Sequence, residues 1–315
     1  MSLRHFLDIS DCSSADIRHL LELGWKIKRN PKEYRRALDG QTLGMIFQKK
    51  STRTRVSFEV GMVQLGGHAL FLSSADIQIG RGETIADTAK VLSRYCDGIM
   101  ARVYGHEVLE ELAQHATIPV INGLSDRLHP CQTMADAMTL VERWSPAGEF
   151  DIGVLRGRKL TYVGDGNNMA HSLLNTGAVL GMDVTIVAPR GYWPDLAVWQ
   201  KARKRATETG AKLLCTTDPA EGVAGADAVY TDVWASMGQE EEAAQRLRDF
   251  AGYMVGSTMM GYAKPEAVFL HCLPAHRGEE VSAEVCDGPQ SIIFDEAENR
   301  LHAQKAIMVE LMGGR

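Results

Sequence analysis

Thr42-Leu43-Gly44-Met45-Ile46-Phe47 runs without a break into Gln48-Lys49-Lys50-Ser51-Thr52-Arg53-Thr54-Arg55, and an amphipathic stretch continues from Arg53 to Leu65. The first six residues form an apolar run of strand length, and the stretch after them has helical period. A buried strand that delivers straight into a helix opens a β-α-β unit, whose strands run parallel under helices on both faces. Ser51 or Thr52 is a natural N-cap, so the free N–H groups of the first helical turn face an anion at the carboxyl end of the strand. Arg53 and Arg55 add guanidinium forks suited to phosphate oxygens. A solvated basic loop is the plain alternative, and placement at a strand end favours a phosphate cradle. It is not a Walker loop, because G-x-x-x-x-G-K-[ST] occurs nowhere in the chain.

The same alternation extends along the sequence. Strands are expected at His68–Leu72, Gly98–Val103, Pro119–Ile121, Leu160–Val163, Val184–Val187, Lys212–Cys215, Ala228–Thr231, Val268–Cys272 and Ser291–Phe294. Helical stretches at Ile85–Tyr95, Asn168–Leu180 and Trp193–Thr209 lie between them, and Asp295–Met312 reads as a terminal helix. One sheet of about ten strands would be large, and the chain of 315 residues is close to twice a common domain length. The Ser-Pro-Ala-Gly-Glu turn at 145–149 is the natural division. The expected fold is α/β, with two Rossmann-like domains of parallel strands flanked by helices, residues 1–148 and 149–294. Helix 295–315 returns to the first domain, and the active site lies in the interdomain cleft.

Lys and Arg total 34 against 40 Asp and Glu, a formal net charge of -6, so a broad basic face for nucleic acid is not expected. Any bound anion needs a local cluster of donors. No run approaches the ~20 apolar residues of a membrane span, and the charged N-terminal stretch does not read as a secretory signal. Six cysteines without a C-x-x-C pair fit a reducing compartment, the cytoplasm by default.

In open α/β sheets ligands bind beyond the carboxyl ends of the strands. Those ends are Gln48–Arg55, Arg102, Asn122–Gln132, Gly164–Asn168, Asp232–Gly238 and His271–Leu273. Gly164-Asp165-Gly166-Asn167-Asn168 begins like a dinucleotide turn, but Met169 replaces the third small residue and no acid ends the following strand at 186–190. The two Asn side chains instead offer neutral hydrogen bonds to a small zwitterion. Asp232 is either the cap of the next helix or an acceptor for a substrate ammonium, and Ser236-Met237-Gly238 is small and turn-prone. Cys272 is either a buried small hydrophobe or a nucleophile with His129 or His271 as its base. His129 and Gln132 suit a carbonyl oxygen or an amide. His106-Glu107-Val108-Leu109-Glu110 lacks the second His of a zinc-protease helix, and Lys201–Arg205 lies on the solvent face of a helix.

Together and in this order, Ser51-Thr52-Arg53-Thr54-Arg55, His129-Pro130-Cys131-Gln132, Asp232 with Ser236-Met237-Gly238, and His271-Cys272-Leu273-Pro274 closely resemble the aspartate/ornithine carbamoyltransferase family, on its ornithine branch. Asn122–Asp126 and Glu296–His302 extend the likeness nearly end to end. The resemblance implies carbamoyl transfer from carbamoyl phosphate to L-ornithine, giving L-citrulline and phosphate, in arginine biosynthesis or degradation. It implies that Ser51, Thr52, Arg53, Thr54 and Arg102 hold the phosphate, and that His129 polarises the carbamoyl oxygen. Pro130, Cys131, Gln132, the Cys272-Leu273 backbone and Arg300 complete the carbamoyl phosphate site, with Gln78 reaching in from a neighbouring subunit. Asn168, Asp232, Ser236 and Met237 bind ornithine, and Cys272 with Asp232 attends its side-chain amine. The catalytic set is then Cys272, Asp232, Arg53, Arg102 and His129. No cofactor or metal is implied, nor any nucleic-acid or membrane partner, and the assembly is a homotrimer or a multiple of trimers. Carbamoyl transfer to putrescine, a nicotinamide-dependent dehydrogenase and a non-catalytic amino-acid-binding regulator are the competing readings.

Overall fold

Apolar strands separated by capped helices build two parallel sheets. The computed structural model describes residues 4–74, 82–235 and 240–313. The described chain divides into two compact units, one running to Met138 and resuming at Glu298, the other spanning Thr139–Ala297. The division falls within the helix Pro130–Trp144, a few residues ahead of the Ser-Pro-Ala-Gly-Glu turn.

The first unit begins with α1 (Ser14–Arg29), whose N-terminus is closed by a reciprocal capping box between Ser13 and Asp16. Then follow β1 (Thr42–Phe47), α2 (Thr52–Gln64), β2 (His68–Ser73), α3 (Ile85–Tyr95), β3 (Gly98–Arg102), α4 (His106–His115), β4 (Val120–Leu124) and α5 (Pro130–Trp144). The four strands lie in the order β2-β1-β3-β4, and every pair is parallel. β3 and β4 are buried at every position, as expected of strands covered on both faces, whereas edge strand β2 is largely exposed. Neighbour order reverses between β1 and β3, where Phe47 pairs with Arg102, so the loops leaving these two strands diverge around a crevice.

The second unit carries β5 (Lys159–Val163), α6 (Asn168–Leu180), β6 (Asp183–Val187), α7 (Leu196–Thr209), β7 (Leu213–Thr216), α8 (Pro219–Val223) and β8 (Ala228–Thr231). After these come α9 (Ala243–Asp249), α10 (Ser257–Met260), β9 (Val268–His271), α11 (Ala283–Cys286) and the first turn of α12 (Ile293–Met312). Its parallel sheet has the order β7-β6-β5-β8-β9. Val163 pairs with Thr231 and Thr231 with His271, so the Gly164, Asp232 and Cys272 turns leave three adjacent strand ends. Helix α6 is buried along nearly its whole length and stops at Gly181, whose φ of 80° only glycine adopts readily.

The expected strand at 291–294 does not form. Ser291 makes one isolated bridge to Phe269, and the chain enters α12 at Ile293. The acids Asp295 and Glu296 in the first turn favour that start, because they complement the positive end of the helix. The remainder of α12 belongs to the first unit, where His19 bonds Glu310 at 2.9 Å and Lys28 donates to Asn299 at 2.8 Å.

Candidate functional site

Two clusters lie at the strand ends, one in each unit. In the first, Ser51 is the N-cap of α2 and its side chain accepts from Thr54 N at 3.2 Å. Thr54 is buried, and its Oγ1 receives Arg102 Nη1 at 3.3 Å and Arg300 Nη2 at 3.0 Å. Arg300 Nη1 also donates to Gln132 Oε1 at 3.0 Å, and Gln132 Nε2 donates to Asp136 at 2.8 Å. Thus one hydroxyl gathers a guanidinium from β3 and another from α12, and α5 steadies the second through Gln132.

The field there is positive. Burial holds the His129 imidazole well below its usual pKa, and Arg300, Arg102 and Arg53 push in the same direction. His129 is therefore a neutral imidazole beside three arginines. Burial pushes the Cys131 thiol up to about 12 against a smaller effect of Arg300, and its sulfur lies 3.2 Å from the Asn122 carbonyl that accepts from it. Cys131 thus offers a ligand backbone, not thiolate. Arg55 leaves the cradle: it turns to the outer face of α2, pairs with Glu59 at 2.9 Å and stacks over Phe71. An acid one turn ahead and an aromatic ring on β2 hold it more directly than the strand end does. Lys49 is buried instead, paired with Asp126 and lying over the Tyr104 ring.

In the second unit Asp232 is buried, its backbone neighbour Val233 N donates to it at 2.8 Å, and Cys272 bonds to its carboxylate. Burial raises the Asp232 pKa, while His271, Cys272 and the Val233 amide pull it back. His271 is no base for Cys272. Its Nδ1 accepts from Leu273 N at 2.8 Å, so its proton sits on Nε2, which meets Glu280 Oε1 at 3.1 Å. Glu296 closes the same network, accepting from His271 N at 3.0 Å and from Tyr230 at 2.9 Å. This buried scaffold fixes the Cys272 turn, in which Leu273 adopts a φ of 60° and precedes a cis Leu273-Pro274 bond. With both imidazole nitrogens engaged, a thiol–imidazole dyad at Cys272–His271 is excluded.

The Gly164-Asp165-Gly166 turn is not shaped for a dinucleotide. A Cβ on Gly166 would meet the chain at Trp193 and Pro194 within 2.5 Å, so the protein's own backbone fills the space a pyrophosphate would need. Asn167 caps α6 by accepting from Met169 N at 3.1 Å, and Asn168 is the first residue of that helix. Asp165 pairs with buried Arg246 at 2.6 Å, and Arg246 also donates to the Trp234 carbonyl at 2.9 Å. Gln78, Ser236 and Met237 lie outside the described residues. Sequence reasoning gave no role to Asp136, Glu280, Glu296 or Arg246. Of these, Asp136 had a visible signal, standing four residues after Gln132 on one helix.

A family model described as the aspartate/ornithine carbamoyltransferase carbamoyl-P binding domain matches residues 4–142. A second, described as the Asp/Orn binding domain of the same family, matches residues 156–311. An ornithine carbamoyltransferase of Anoxybacillus flavithermus is 55% identical over 311 residues, 98% of this chain and 96% of that protein. An anabolic ornithine carbamoyltransferase of Pyrococcus furiosus is 53% identical over 313 residues, 99% of this chain and 97% of that protein. A solved Pyrococcus furiosus ornithine carbamoyltransferase superposes with a TM-score of 0.93 at 52% identity, covering 99% of this chain and 98% of that one. The chain belongs to the aspartate/ornithine carbamoyltransferase family.

Proposed function

We propose that the chain transfers the carbamoyl group of carbamoyl phosphate to the side-chain amine of L-ornithine, releasing L-citrulline and phosphate, in arginine biosynthesis. The carrying observation is the convergence of Arg102 and Arg300 on Thr54 beside neutral His129. A dianionic phosphate is the natural occupant of that field. Ser51, Thr52, Arg53, Thr54 and Arg102 take its oxygens, and residues 1–148 with the terminal helix are the carbamoyl phosphate domain. His129 donates to the carbamoyl oxygen as it becomes an oxyanion, joined by Arg53 and Thr54. Gln132, which accepts from Arg300, turns its amide to the carbamoyl group.

Residues 149–294 take the amino acid. Asn168, Ser236 and Met237 meet its α-amino and α-carboxylate groups, and Asp232 with Cys272 receives the side-chain amine. A free primary ammonium of this type has a pKa of about 10.4, so it must lose a proton before it can attack. With its own proton passed to the Asp232 carboxylate, whose pKa burial raises, the Cys272 thiolate takes that proton in a site closed to water. The amine lone pair then forms the C–N bond, the carbonyl electrons move to oxygen, and their return expels phosphate, which carries off the second proton of the attacking nitrogen. The G-x-G geometry speaks against nicotinamide chemistry, and putrescine would leave the carboxylate donors without a partner.

An apolar face of the first unit supports self-association, as a homotrimer in this reading. Val56, Val60 and Val63 form one stripe on α2, next to Leu70 and Phe71 on β2, and Val63 is 68% exposed. Val63→Glu is expected to reduce the sedimenting mass to that of a monomer. Among the described residues no helix is long and apolar enough to cross a membrane, in keeping with a cytoplasmic enzyme. The function is tested by supplying carbamoyl phosphate with ornithine, putrescine, lysine or aspartate in turn and measuring ureido product. Citrulline from ornithine alone is expected, and no citrulline above the uncatalysed rate refutes the assignment.

A further inference from the structure

The segment after the Cys272 turn carries a second group of ligating atoms. An imidazole nitrogen of His276 and carboxylate oxygens of Glu279 and Glu280 all lie within 4.8 Å of one another. His276 Nδ1 stands 3.7 Å from Glu279 Oε2 and 3.8 Å from Glu280 Oε2. His276 and Glu279 are about half exposed, but the Glu280 side chain is 0% exposed.

Glu280 is thus no ordinary surface acid. Its Oε1 is used twice, by His271 Nε2 at 3.1 Å and by His276 N at 2.5 Å. Its Oε2 is buried without a hydrogen-bond partner among the described residues and faces the His276 ring. A buried carboxylate oxygen left in this way is costly unless something compensates it. The adjacent cation does not, because Arg277 directs Nε and Nη2 to Asp287 at 2.8 and 2.6 Å.

We propose that His276, Glu279 and Glu280 form a site for a divalent cation of the zinc class. Imidazole with carboxylates suits Zn²⁺, Co²⁺ or Ni²⁺, whereas Mg²⁺ and Ca²⁺ prefer all-oxygen shells of six or more ligands. Glu280 is the fixed wall, and the two exposed side chains close onto the ion with water completing its shell. The carboxylate that takes the metal on Oε2 holds His271 on Oε1, and His271 holds Leu273 N, so occupancy bears on the Cys272 turn. Asp232, His271 and Cys272 are the competing ligand set, and there both imidazole nitrogens are already engaged.

The test is titration of cobalt(II) and zinc(II) into the purified full chain by calorimetry, with cobalt absorption recorded in parallel. One equivalent is expected to bind without a thiolate-to-cobalt charge-transfer band. His276→Ala and Glu279→Gln, both at exposed positions, are each expected to weaken binding by about tenfold or more, and Cys272→Ala to leave it unchanged. Absence of binding, undiminished binding in His276→Ala, or a thiolate band abolished by Cys272→Ala would each overturn the proposal. None of these readouts requires turnover, so the result stands apart from the carbamoyl transfer assay.

Discussion

Arg102 and Arg300 share one acceptor, Thr54 Oγ1, at 3.3 and 3.0 Å. Two like charges far apart in sequence are thereby held on a neutral hydroxyl, and burial first, then the field they create with Arg53, keeps His129 neutral. Such an arrangement is preorganised for an anion, because the donors are fixed before the ligand arrives.

Thr54→Val keeps the side-chain volume and removes that acceptor. Hydrogen bonds to charged groups contribute about 1.5–3 kcal/mol, so carbamoyl phosphate affinity is expected to fall by roughly ten- to a hundredfold. The ornithine KM should move much less. Calorimetry with carbamoyl phosphate or inorganic phosphate measures this directly, and an unchanged affinity would mean that the two arginines are held by other contacts.

Arg246 is a positioning residue for the amino-acid half. It ties the Asp165 carboxylate to the Trp234 carbonyl, three residues before Asn168 and two after Asp232 respectively. Removing one partner of a buried ion pair costs about 3–5 kcal/mol. Arg246→Met should therefore lower the unfolding midpoint and raise the ornithine KM, with carbamoyl phosphate binding retained. The double variant with Asp165→Asn, which leaves no uncompensated carboxylate, should recover part of the stability. Equal losses for both substrates in a steady-state assay would rule out a local positioning role.

The strand–helix alternation was legible because parallel strands buried on both faces are continuous apolar runs, as in Met45-Ile46-Phe47 and Ile99-Met100-Ala101. The strand-end positions of Ser51, Asp232 and Cys272 were legible because each follows an apolar run. What stayed hidden depends on contacts distant in sequence: Arg246 reaches Asp165, and Glu296 reaches His271. Arg55 shows the converse, since a local partner at Glu59 and a ring on β2 outweighed its place in the motif. Ser291–Phe294 misled because a short apolar run before two acids serves a helix start as well as a strand.

Cys272→Ala separates the two halves of the chemistry. Its sulfur bonds Asp232, and the His271–Glu280 scaffold that shapes the turn does not use the sulfur. The variant should fold normally and bind carbamoyl phosphate, while kcat falls by about a hundredfold or more, in the range of general-base losses. Loss of carbamoyl phosphate binding would show that Cys272 builds the phosphate half instead.

His302 provides an acid-sensitive contribution to stability. Burial, then Lys305 and Lys28, lower its pKa to about 4, against a partial opposing effect of Glu298. An unfolded histidine titrates near 6.5, so between that pH and about 4 the unfolded chain binds the extra proton. The stabilisation is fully present above this window and is lost as pH falls through it. Urea midpoints measured from about pH 7 to about pH 4 should decline, and His302→Gln, which has no proton to gain, should flatten that decline. An identical slope in the variant would place the acid sensitivity on other groups, with buried His129 the first to examine because its shift has the same sign.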